Sequence, residues 1–146
     1  GLRTLQKYAF TVGGGYNHRQ NLGDGILIKD NHIAALAARG LSLSDAVWRA
    51  LREAPHTLKV EVEVETLEQA QEALEAGAHI LLLDNMSEDL MRQITILCKG
   101  RAITEASGGI KLNNVRAVAE TGVDYISVGA LTHSVRSADI SLDVSW

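Results

Sequence analysis

Short apolar runs rich in β-formers alternate with longer stretches of helical periodicity along the whole chain, and nothing else in the sequence limits the fold as strongly. Gly25 to Ile28, Leu58 to Val64, Ile80 to Leu83, Ala102 to Thr104 and Tyr125 to Val128 predict strands. Between them the spacing predicts helices with recognisable ends. The clearest opens at Thr66, with Gln69 three residues on as a capping box, and stops at Gly77, burying Leu67, Ala70 and Leu74. A second starts at Ser87 and turns Leu90, Ile94 and Leu97 inward. A third runs from about Asn114 to Gly122 on Val115, Val118 and Ala119, and a fourth follows Ser44 through Val47, Ala50 and Leu51. The first residues of the chain also read as helix. Repeated βα units with short connections imply a parallel sheet, either rolled into a barrel or left open and doubly wound.

Both architectures bind ligands at the carboxyl ends of the strands. Those ends carry Lys29 and Asp30, Glu63 and Glu65, Asp84 and Asn85, Glu105 and Ser107, and Gly129 with Thr132. In the stretch Lys59 to Glu65, strict alternation sends Val60, Val62 and Val64 to one face and Glu61, Glu63 and Glu65 to the other. On an antiparallel sheet the second face would simply be solvated. On a parallel strand covered by helices it points into the barrel, where carboxylates are costly unless they meet cations, metal or hydroxyls. Asp84 ends the next apolar run and could share a site with Glu63, a hard-oxygen pair suited to Mg²⁺ or to ribose hydroxyls; a helix cap or turn is the plainer role for it. Ser107, Gly108 and Gly109 follow a strand and precede a helix, and Gly129 opens a similar turn, so each can form a nest of backbone N–H groups for phosphate or a simple turn. Gly13, Gly14 and Gly15 fit neither nucleotide-binding loop pattern. Downstream of them His18, Arg19 and Lys29 gather cationic groups fit for a dicarboxylate. His32 reads as structural. His18 has no matched partner at helical spacing, which argues against a metal there.

Composition sets the outer limits. With 146 residues and 46% hydrophobic content, the chain has enough apolar material for one core, so residues 1–146 are expected to form a single α/β domain. Its apolar runs are too short for a membrane span, and no signal-like segment opens it. One cysteine, Cys98, cannot make an internal disulfide; it reads as core packing, and a reducing cytoplasm is the expected setting. The net charge of −4 argues against nucleic acid as a partner. It is unevenly spread, with a basic front through Arg39 and an acidic remainder, which suits an anionic substrate that also needs a cation.

Taken as a set, these residues resemble a known family. Lys7-Tyr8-Ala9, Gly13 to Gly15 with Asn17-His18-Arg19, Leu27 to His32, Val60 to Glu63, Leu83-Asp84-Asn85, Glu105 to Ile110 and Ser127 to Thr132 are similar, in order, to the quinolinate phosphoribosyltransferases. The resemblance implies a partial, open TIM-like α/β barrel that lacks its first strand and the N-terminal sandwich domain of the longer enzymes. It further implies a homodimer or higher homo-oligomer and a Mg²⁺-assisted reaction. Quinolinate and phosphoribosyl pyrophosphate would give nicotinate mononucleotide, pyrophosphate and CO₂. His18, Arg19 and Lys29 would hold the quinolinate carboxylates. Glu63 and Asp84 would face ribose and metal, which with Lys29 makes them the catalytic set. Ser107, Gly108, Gly109 and Gly129 would cradle the 5′-phosphate. An Arg-Lys-Thr stretch that precedes the Gly-Leu-Arg helix in the family is not in this sequence, so the isolated chain is expected to be inactive. Two other functions are open to such a chain: a non-catalytic sugar-phosphate-binding scaffold, and a paralogous phosphoribosyltransferase with another acceptor.

Overall fold

The computed structural model describes residues 2–134 and 139–145, so Gly1 of the Gly-Leu-Arg motif lies outside the described residues. Helix α1 (Arg3–Val12) leads into strand β1 (Ile26–Ile28). It is followed by α2 (Asp30–Ala37), α3 (Leu43–Glu53), β2 (Val60–Val64), α4 (Leu67–Glu75), β3 (Ile80–Asp84), α5 (Glu88–Cys98), β4 (Ile103–Ser107), α6 (Val115–Ala119), β5 (Tyr125–Ile126) and the short α7 (Ala130–His133). All strand pairings are parallel, and the spatial order β1-β2-β3-β4-β5 is the chain order. That order decides between the two architectures left open by the sequence. A doubly wound sheet must reverse direction once, whereas successive right-handed crossovers to the next neighbour lay every helix on the same side. Helices α2 to α6 accordingly pack against one another in sequence as an outer layer. The fold is an open, barrel-like α/β wall whose other face is free to build a site.

The register makes the two faces chemically distinct. Val60, Val62 and Val64 of β2, Leu81 and Leu83 of β3 and Ala106 of β4 point toward the helices and are fully buried. There they meet Val47, Ala70, Ala73, Leu74, Met91, Ile94 and Cys98 in one core cluster. The opposite parity forms the concave face: Leu27 and Lys29, Glu61 and Glu63, Leu82 and Asp84, Glu105 and Ser107, aligned across the strands by the pairs Leu27↔Glu61, Glu63↔Leu82, Leu82↔Glu105 and Asp84↔Ser107. Leu82 is buried yet stands outside the main core cluster, because its neighbours on this face are carboxylates.

Several local expectations need correction. Helix α3 is capped by Ser42, not entered at Ser44: Asp45 N donates to Ser42 Oγ at 3.1 Å and Ser42 N donates back to Asp45 Oδ2 at 2.8 Å. Ser44 instead donates its N–H to Glu72 of the neighbouring helix. Thr66 caps α4 as expected, but Gln69 Oε1 accepts from Glu65 N rather than from the cap residue, so the box closes one residue early. Helix α2, which begins directly after β1, is not signalled by its sequence: its stripe is narrow, and only Ile33 and Leu36 lean on the core. In α6, Ala119 faces solvent while Val118 is buried. Asp84 belongs to the end of β3, and the cap of α5 is Ser87. Cys98 packs in the core as anticipated. Among the described residues no helix is long and apolar enough to cross a membrane.

A candidate anion site on the concave face

At the carboxyl end of β1 the chain must leave the sheet and enter α2, and Lys29 stands at that junction. Its backbone N–H donates to His32 Nδ1 at 2.9 Å, so His32 has the structural role expected of it. The Lys29 side chain crosses to β2, where Nζ lies 3.3 Å from Glu63 Oε2. Glu63 is 9% exposed, a degree of burial at which a carboxylate requires a cation. Lys29 is about half exposed (49%), which leaves its ammonium open to a second anion from solvent.

Two residues further along the concave face, Asp84 on β3 sits beside Ser107 on β4. Asp84 Oδ2 accepts from the Asn85 amide at 2.7 Å. Beyond Ser107, Gly108 (φ 85°) and Gly109 (φ 63°) both occupy the left-handed region, which strains any residue carrying a Cβ. Gly108 has a second reason to be glycine. A Cβ there would stand 2.5 Å from Asn85 Cγ and 2.8 Å from Asn85 Nδ2. The Asp84–Asn85 turn and the Gly108–Gly109 turn are therefore pressed together, and only the missing side chain permits it. Asn85 itself has φ 49°. Gly129 heads α7, where a Cβ would meet His133 Nε2 at 2.8 Å.

His18 and Arg19 take a different position. The glycine-rich segment after α1 carries them under the concave face, where they line a cavity of about 730 Å³ together with Phe10, Glu61, Glu105 and Ser127. His18 Nε2 is 3.0 Å from Glu61 Oε2 and 3.8 Å from Glu105 Oε1. The hydrogen bond to Glu61 raises the His18 pKa above its ordinary 6.5, against a smaller opposing effect of burial. Burial pushes Glu105 in the same direction, above the usual carboxylate range, while the Ser127 hydroxyl that donates to its Oε1 opposes the shift.

The residues singled out in the sequence thus fall into adjoining groups. Lys29 joins Glu63, Asp84 adjoins Ser107 and the paired glycines, and His18 and Arg19 sit toward the amino ends of the strands, on a cavity that Lys29 does not line. Glu61 and Glu105 as partners of His18, and Ser127 as a partner of Glu105, are not identified from sequence. The parity of β2 already put Glu61 beside Glu63, and the same parity rule applied to Thr104-Glu105-Ala106 would have turned Glu105 to the concave face. What parity cannot supply is the position of a loop forty residues away. The glutamate expected to join this face at Glu65 lies past the strand end and is exposed.

Comparison with known proteins gives one consistent picture. Residues 1–143 match the family described as quinolinate phosphoribosyl transferase, C-terminal domain. The chain is 52% identical over 145 residues to a probable nicotinate-nucleotide pyrophosphorylase (carboxylating) of Bacillus subtilis, covering 99% of this chain and 49% of that protein. It is 49% identical to the nicotinate-nucleotide pyrophosphorylase (carboxylating) of Mycobacterium leprae, covering 99% and 50%. Among solved structures, NadC from Streptococcus pyogenes superposes with a TM-score of 0.86 at 46% identity, covering 99% of this chain and 49% of that one. The chain spans about half the length of the relatives it matches.

Proposed function

Because the chain belongs to the quinolinate phosphoribosyl transferase family, matching its C-terminal domain, we propose that it supplies the acceptor-binding, ribose-binding and phosphate-binding side of a phosphoribosyl transfer to quinolinate. In this reading the pyridine nitrogen of quinolinate attacks the anomeric carbon of phosphoribosyl pyrophosphate and pyrophosphate departs with the bonding pair. CO₂ then leaves from the carbon next to the quaternised nitrogen, the electron pair stays on that carbon as an ylide stabilised by the positive ring, and a proton from solvent takes the place of CO₂, giving nicotinate mononucleotide. The observation that carries it is the grading of the concave face at the strand ends, from cation (Lys29) through carboxylates (Glu63, Asp84) to a glycine turn beside Ser107. An anionic acceptor, a ribose and a phosphate are met by those chemistries in that order.

Lys29 would hold an acceptor carboxylate as a point charge, with His18 and Arg19 contributing from the segment beneath. Glu63, relieved of Lys29 by the incoming acceptor, would face the ribose and stabilise the positive charge that develops at its anomeric carbon. Ser107, Gly108, Gly109 and Gly129 would take the 5′-phosphate on hydroxyl and backbone N–H groups. The oxygen donors of Glu63 and Asp84 fit Mg²⁺, which prefers carboxylates to nitrogen ligands. Bound there, it would neutralise charge on the departing pyrophosphate. Assembly with further copies of the chain and a cytoplasmic setting belong to the same proposal.

The test is steady-state release of CO₂ and nicotinate mononucleotide by the whole protein. Arg19→Glu should raise the KM for quinolinate far more than that for phosphoribosyl pyrophosphate. Equal effects on both would remove Arg19 from the acceptor, and no turnover by the full-length enzyme that carries this chain would sink the reading.

A further inference from the structure

The cluster beneath the strand ends has a property that anion binding does not use. His18 Nε2 and carboxylate oxygens of Glu61 and Glu105 all lie within 4.8 Å of one another. Both glutamates are more than nine-tenths buried, at 6% and 7% exposure. Glu61 Oε2 is on His18, but Glu61 Oε1, on the same carboxylate, is buried with no hydrogen-bond partner among the described residues. Two buried carboxylates with one unsatisfied oxygen, met among the described residues by one imidazole and the Ser127 hydroxyl, form an under-neutralised site. We propose that His18, Glu61 and Glu105 bind a divalent transition-metal cation of the zinc type, at a site distinct from the Glu63 and Asp84 carboxylates.

The geometry is close to what such an ion needs. With metal–nitrogen and metal–oxygen distances of about 2.0–2.2 Å, a tetrahedral ion holds its ligand atoms about 3.3–3.5 Å apart. The two separations from His18 Nε2, 3.0 Å and 3.8 Å, bracket that range. His18 comes from an irregular segment and its side chain is 36% exposed, so it can adjust without disturbing the strands that fix the glutamates. The cavity in front of the cluster provides an open position for water as fourth ligand. Ser127, donating to Glu105 Oε1, is the outer-shell group that orients a ligating carboxylate. Donor chemistry separates the two sites: an imidazole nitrogen favours zinc-like ions, whereas Glu63 and Asp84 offer oxygen alone. Metal on His18 and an acceptor carboxylate on His18 exclude one another, so occupancy would silence the transfer proposed above. That consequence rests on the proposed function; the binding does not.

The experiment is metal binding by the metal-stripped full chain, read by equilibrium dialysis against Zn²⁺ and by the visible ligand-field absorption of Co²⁺, neither of which needs turnover. One ion per chain is expected. His18→Ala and Glu105→Gln should each weaken binding by more than the 10- to 100-fold, roughly, that follows loss of an outer-shell group, and Ser127→Ala should fall within that range. Glu105→Gln preserves shape, so it reports on ligation even if His18→Ala perturbs the segment after α1; circular dichroism checks the fold of each. His56→Ala, at an exposed histidine outside the cluster, should bind as the parent does. Absence of saturable Zn²⁺ binding, unchanged affinity in both His18→Ala and Glu105→Gln, or loss of binding in His56→Ala would overturn the proposal.

Discussion

Substituting Gly108 by alanine tests the packed turns that bring Asp84 and the glycine pair together. The added methyl group has two separate costs. Holding an L-residue at φ 85° costs about 1–2 kcal/mol. The Cβ also stands 2.5 Å from Asn85 Cγ, so the Asn85 amide must move and give up its hydrogen bond to Asp84, worth about 0.5–1 kcal/mol at this exposed position. Together these predict a loss of about 1.5–3 kcal/mol, or a fall in Tm of about 4–10 °C for a chain of this size. Only the second part depends on Asn85. In a double-mutant cycle with Asn85→Gly, the combined variant should therefore recover about 0.5–1 kcal/mol relative to the sum of the single effects. Urea denaturation of the four proteins, followed by far-UV circular dichroism, measures every corner. If Gly108→Ala is as stable as the parent, or if the two substitutions are strictly additive, the turns are not pressed together as described.

Three further outcomes follow. Both His18 and Glu105 have folded pKa values raised above their ordinary 6.5 and 4.5, so each contributes stability that is complete below its unfolded value and is lost as pH rises through the folded one. Tm should therefore fall as pH rises from below 4.5 to above 6.5, with His18→Ala flattening the upper part of that decline and Glu105→Gln the lower; a parent Tm that rises over this range would contradict the burial of Glu105 and the His18–Glu61 hydrogen bond. Leu81→Ala, at a fully buried position facing the helices, should cost about 2–5 kcal/mol, measured by urea denaturation, because the packed strands and helices around it cannot collapse into the cavity. Cys98, buried and with its thiol pushed up to about 11 by that burial, should resist iodoacetamide in the folded chain and react once urea unfolds it; rapid labelling under native conditions would show that α5 opens locally.

The sequence by itself determined the repeated βα plan, the strand parity that separates Val60, Val62 and Val64 from Glu61 and Glu63, and the caps at Thr66 and Ser87. These depend on neighbours within one strand or one turn, where the period of two and the cap hydrogen bond are local facts. Two features were less legible: α2 carries too narrow a stripe to announce itself, and α3 is capped by Ser42 paired with Asp45 while Ser44 turns to Glu72 of the neighbouring helix. The tertiary structure decided the strand order, and with it the choice of an open barrel wall over a doubly wound sheet. It also decided that His18 meets Glu61 and Glu105, and that Asn85 rests where a side chain on Gly108 would be. Each of those contacts joins residues far apart in sequence, and their separation in space is fixed by packing and crossover handedness, for which the order of residues along one segment has no local signature.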